Sequence, residues 1–80
     1  MPRYFFHIWD GVELIPDEEG MLLPDTNAAL VEAKLSARDF AAECIRTGKL
    51  LDGRRIAVHD SEGRPIFEYA IQDIIGDIGN

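Results

Sequence analysis

Few residues in this chain are of types that could do chemistry. They are two histidines (His7 and His59), a run of acids (Asp17, Glu18 and Glu19), one cysteine (Cys44) and the aromatic pair Phe5 and Trp9. A metal held by imidazoles needs three or four convergent ligands, and the histidines form neither an HxH nor an HExxH pattern. They meet only if the strands that carry them are neighbours, with Asp10 or Asp60 as further ligands. The DEEG run at residues 17–20 lacks the alternating acids of a calcium loop and reads as a charged turn closed by glycine. Cys44 falls on the packing face of a helix, out of reach of a substrate, and Ser36 and Ser61 have no base close in sequence. Gly11, Gly20, Gly53 and Gly63 are isolated turn glycines, not a phosphate loop. The chain is therefore expected to catalyse no reaction and to hold no metal or cofactor.

Phe5 and Trp9, alternating with His7, could stack on unpaired bases. The formal charge of −7 opposes that use, because it repels phosphate, and apart from Arg54 and Arg55 the basic residues are scattered. Direct contact with nucleic acid is not expected, and a protein contact accounts better for the aromatics.

The elements that must place these residues are organised around one helix, Asp25 to Gly48. Asp25 or Thr26 can accept from the free amides of the first turn, and Gly48 can take the left-handed conformation that closes the last. At 100° per residue, Leu30, Ala33, Ala37, Phe40, Ala41 and Cys44 share a face, with Ala29 and Ile45 at its edges. Val31, Leu35 and Ala42 form a second apolar stripe beside the charged face of Glu32, Ser36, Asp39, Glu43 and Arg46.

Arg3 to Trp9 is the strongest strand, with Tyr4, Phe6 and Ile8 on one face and Phe5, His7 and Trp9 on the other. Asp10-Gly11 signals a hairpin into a second strand, Val12 to Pro16, which proline ends or confines to an edge. Met21 to Leu23 reads as a short extended cover over the core. After the helix and a loop that turns Leu50 or Leu51 inward, Arg54 to Asp60 alternates with Ile56 and Val58 inward and Arg55, Ala57 and His59 outward. SEGR is a second hairpin loop, and Pro65 to Ile71 is the fourth strand. Gln72 to Ile75 reads as a last helical turn and Gly76 to Asn80 as a frayed end. The order β-β-α-β-β predicts an α+β domain: a four-stranded antiparallel sheet with one long helix on one face.

Eighty residues, 46% hydrophobic and 29% charged, are those of one ordinary globular domain, residues 1–80. A chain this short buries only about two-thirds of its unfolded surface, so association would help it. No apolar run approaches the ~20 residues of a membrane span, and no basic leader precedes an apolar stretch, so neither membrane insertion nor export is expected. One unpaired cysteine suits a reducing, cytoplasmic setting.

The opening MPRYFFHIWDG, the DEEG loop, the LPD that leads into an alanine-rich helix, and the block LDGRRIAVHDSEGRPIF occur in that order. Together they resemble a family of short bacterial proteins, many from soil-dwelling bacteria, classed as a domain of unknown function. The resemblance covers nearly the whole chain and implies a small intracellular domain, with no reaction, ligand or catalytic residue to carry over. The strand hairpin, proline–aspartate and Ala/Glu-rich helix are more weakly similar to the antitoxin halves of Hic-type toxin–antitoxin pairs. Here the segment between hairpin and helix is shorter, and no separate DNA-binding segment follows.

The resulting expectation is a small cytoplasmic interaction module, a homo-oligomer and most simply a dimer, open to a protein partner. The alternative is an antitoxin-like regulator that binds a small basic toxin through its acidic surface. The interface residues are expected to be Phe5, His7, Trp9, Arg55 and His59 on the sheet, with Val31 and Leu35 on the helix. The core is expected to gather Phe6, Ile8, Leu30, Ala37, Phe40, Cys44, Ile56 and Val58, with Phe40 as its anchor.

Overall fold

The computed structural model describes the backbone of residues 1–78 and the side chains of residues 1–74. The elements in chain order are β1 (Arg3–Asp10), β2 (Glu13–Ile15), β3 (Met21–Leu22), α1 (Thr26–Thr47), β4 (Arg54–His59), β5 (Pro65–Ala70) and α2 (Ile71–Ile78). The sheet runs β2-β1-β4-β5, antiparallel throughout, and β3 also pairs with β1. The α+β fold and the β-β-α-β-β layout are as the sequence predicts.

The helix ends where its caps dictate. Asp25 Oδ1 accepts from the Ala28 amide at 2.8 Å, and Gly48 at φ 78° turns its amide back to the Ile45 carbonyl. The packing stripe is Ala29, Ala33, Ala37, Ala41 and Cys44, all buried. It runs at nearly four-residue intervals, rotated from the expected face. Leu30 and Phe40 are only half-buried, and Ile45 is 71% exposed. The smallest side chains take the line of closest approach, because alanine lets the helix backbone sit low over Ile56 and Val58. The bulky neighbours are displaced to the flanks, where Phe40 packs beside Phe6 and Ile8 around the buried centre.

Three elements differ from expectation. Met21 and Leu22 form a fifth strand opposite Tyr4 and Arg3, where a loose cover was expected, so the sheet has five strands rather than four. Val12 lies in the hairpin turn with Gly11, 98% exposed, which leaves β2 only three residues long. The terminal helix starts at Ile71, which sequence assigned to the fourth strand, and runs to Ile78, through much of the stretch expected to fray; residues 79 and 80 lie outside the described residues. Ile71 and Ile74, three positions apart, are both buried in the same cluster as Tyr4 and the alanines, and that anchors the short helix. Leu51 packs on the core while Leu50 stays exposed.

Both helices therefore lie on the face of Tyr4, Phe6, Ile8, Ile56 and Val58. The molecule measures 36 × 29 × 17 Å, and its thin dimension is one sheet and one helical layer.

The core geometry makes Ile56, fully buried under the alanine stripe, the costliest residue to truncate. Ile56→Ala should cost about 2–5 kcal/mol, while Phe40→Ala at its half-buried flank should cost nearer ~1–2 kcal/mol. Urea denaturation of both variants measures the order; a larger loss at Phe40 would place the anchor where the sequence first put it.

Candidate functional site

The odd-numbered residues of β1 point away from the helices. Phe5, His7 and Trp9 sit in register with His59, Ala57 and Arg55 of β4. The structure thus gathers five of the seven expected interface residues on one sheet face. The other two, Val31 and Leu35, lie on α1, 58% and 48% exposed, in the opposite layer. Strand pairing adds two residues to the patch that sequence reasoning missed. Leu14 stands opposite Trp9, and Leu22 opposite Arg3, and both are exposed. The alternation of β2 held the signal for Leu14; Leu22 became visible only once β3 was known to pair.

The aromatic groups on this face are ordered against one another. Phe5 and His7 stack with centroids 6.3 Å apart and planes 8° from parallel. His7 meets His59 edge-on at 4.8 Å and 81°. Ala57 is buried although it faces outward, between His7 and Glu68 on either side. Arg55 pairs with Glu68 at 2.9 Å and borders the patch on the β5 side. Two histidines do not make a metal centre, and among the described residues no three His, Cys, Asp or Glu side chains gather as a ligand set.

The edge of β1 away from β4 is shared by β2 and β3, and between them Phe6 and its neighbours lack a strand partner. Asp17 fills that gap. Its Oδ2 accepts from the Phe6 amide at 3.1 Å, its Oδ1 from the Gly20 amide at 3.1 Å, and its own amide donates to His7 Nδ1 at 3.0 Å. The DEEG loop is thus a clasp as well as a charged turn. Gly20 is required in it. The residue sits at φ +69°, and a Cβ there would lie 2.8 Å from the Tyr4 carbonyl oxygen. Arg3 closes the loop from the far side by donating to the Glu19 carbonyl at 2.7 Å. Because Nδ1 accepts a hydrogen bond, the neutral His7 ring carries its proton on Nε2. Loss of solvation holds the His7 pKa below 6.5, and the nearby His59 lowers it further, against a smaller opposing pull from Asp17.

A second concavity lies in the opposite layer. A groove of about 690 Å³ opens between the DEEG loop and α1, lined by Phe6, Ile8, Met21 and Phe40 and by Asp17, Glu18, Glu19, Glu32 and Asp39. No helix is long and apolar enough to cross a membrane among the described residues.

These features define a two-layer α+β domain whose sheet is covered on one side only. The chain belongs to the family described as a domain of unknown function (DUF6894), whose profile matches residues 3–72. That span takes in all five strands, α1 and the start of α2. Neither the curated proteins nor the solved structures give a match.

Removing the clasp leaves the Phe6 and Gly20 amides without their acceptor, so Asp17→Ala should cost about 2–4 kcal/mol. Gly20→Ala, strained at positive φ and pressed against backbone, should cost a similar ~2–4 kcal/mol. Denaturant midpoints test both, and a Gly20→Ala protein as stable as the parent would show that the loop does not seat on β1 as described.

Protonating His7 destroys its acceptor, and its folded pKa lies below the unfolded one, so the neutral ring is the form that folding favours. Its contribution is complete above 6.5 and is lost as pH falls through the lowered His7 value. Denaturation measured from about pH 7 down to about pH 5 should show falling stability, and His7→Asn, which keeps an acceptor without titrating, should flatten that slope.

Proposed function

We propose that this protein is a non-catalytic interaction module that joins a second copy of itself through the open sheet face. The observation that carries the reading is that both helices pack on one side, leaving Phe5, Trp9, Leu14 and Leu22 together on the other. Water on such a surface is unfavourable by about 25 cal/mol per Å². The face spans about 20 × 26 Å from strand number and strand length, the scale of a small two-fold interface. Its charges also suit self-contact. The net charge of −7 would drive two copies apart, yet this face carries arginines at Arg3 and Arg55, the two imidazole rings and the paired Glu68. A cytoplasmic setting is consistent with the unpaired, buried Cys44.

A second reading, an antitoxin-like regulator that binds a small basic protein, is favoured by the carboxylates gathered at the groove. It places the partner on the opposite layer and leaves the sheet face free for a second copy.

Sedimentation at micromolar concentration is expected to show a dimer. Trp9→Glu, beside Leu14 on the patch, should yield a folded monomer, whereas Leu35→Glu on the helix should leave the dimer intact. A parent that sediments as a monomer across that range, or a dimer split by Leu35→Glu alone, would remove the sheet-face reading.

A further inference from the structure

We propose that the groove between the DEEG loop and α1 is the docking site for a cationic, amphipathic segment of a partner polypeptide. Its floor is apolar, made of Phe6 and Ile8 from β1 and Phe40 from α1, with Met21 at one side. Phe6, Ile8 and Phe40 pack on the core below, yet they remain partly open to the groove. Its rim is acidic on both banks: Glu18 and Glu19 stand on the loop, and Glu32 and Asp39 on the helix.

The rim carboxylates are uncompensated. The ion pairs among the described residues join Arg46 to Glu43, Arg54 to Asp10, Arg55 to Glu68, and Arg64 to Asp60 and Glu62. None reaches the groove. Arg3, the cation held against the loop, bonds to the Glu19 carbonyl rather than to a rim carboxylate. Asp17 differs, since its carboxylate is already taken by the Phe6 and Gly20 amides. The groove thus keeps like charges facing each other across an apolar trough, which repel until a cation enters.

An occupant must satisfy both features. Lysine or arginine side chains would meet the two banks, and apolar side chains on the opposite face of the same segment would cover Phe6, Ile8 and Phe40. A small polyamine offers only the first, and a neutral apolar peptide only the second. The volume of about 690 Å³ suits several side chains of one segment rather than a whole domain surface. The proposal deepens the second reading above by giving its basic partner a seat. Occupation of the groove is read separately from neutralisation of any toxin, so either can fail alone.

The test is calorimetric titration of the full chain with a synthetic amphipathic leucine–lysine peptide, with oligolysine of equal charge and spermine as comparisons. One peptide per chain is expected, bound more tightly than oligolysine or spermine. Glu32→Gln with Asp39→Asn should weaken it by about tenfold or more, while Glu43→Gln with Glu62→Gln, an equal charge change outside the groove, should alter it less than about twofold. Ser36 also lines the groove, between Glu32 and Phe40 on α1, and Ser36→Trp, which fills it without changing charge, should also abolish binding. Absence of peptide binding, equal binding of oligolysine or spermine, an equal loss in the two charge variants, or retained binding in Ser36→Trp would each overturn the proposal.

Discussion

The structure depends on how closely one helix can approach one side of one sheet. The alanine stripe from Ala29 to Ala41 lets the backbone of α1 sit low over Ile56 and Val58, with which it shares one buried cluster. That contact fixes the two-layer architecture, because α2 packs into the same buried cluster and both described helices lie on one side of the sheet. It also sets where bulk goes. Phe40, Phe6 and Ile8 are squeezed outward to the flank, and there they become the floor of a groove rather than the centre of a core. Burial at the centre and concavity at the margin thus have the same cause.

β1 links the two surfaces. Its even-numbered residues look toward the helices and its odd-numbered residues toward the open face, so Phe6 and His7, adjacent in sequence, belong to opposite sides. Asp17 touches both, holding the Phe6 amide with its carboxylate and the His7 ring with its own amide. A change in the protonation of His7 on one face is therefore felt by the loop that walls the groove on the other. The hairpin at the far end is tied separately. The Arg64 amide holds Asp60 below the ordinary carboxylate range, and the Glu62 amide and Arg64 guanidinium add to the effect, against a cost in lost solvation.

Most of the architecture was legible in the sequence because it is written in local rules. The caps at Asp25 and Gly48, the alternation of β1 and β4, and the outward placement of Phe5, His7, Trp9, Arg55 and His59 all follow from period and turn chemistry. Ala33, Ala37, Ala41 and Cys44 were on the expected helix face, but its centre was set too near Leu30 and Phe40 and left Ala29 at the edge, because periodicity weights apolar size. Close packing inverts that weighting when the partner is a sheet. The fifth strand was missed because two residues carry no strand signal of their own, and Met21 and Leu22 pair only because the loop before them is clasped to β1. The groove was illegible for a related reason, since its two banks, at residues 18–19 and 32–39, meet only through tertiary packing.

The division of one β1 edge between β2 and β3 has a consequence for behaviour in a concentrated solution. An uninterrupted eight-residue edge would offer a row of free amides and carbonyls to any passing strand, the geometry from which fibrils grow. Here the row is broken into two short runs, and a side-chain carboxylate plugs the Phe6 donor between them. The opposite rim of the sheet is β5, which begins at Pro65, without an amide hydrogen, and ends where α2 turns the chain away. Lateral growth of the sheet is thus discouraged at both margins, one by a side chain and the other by a missing amide.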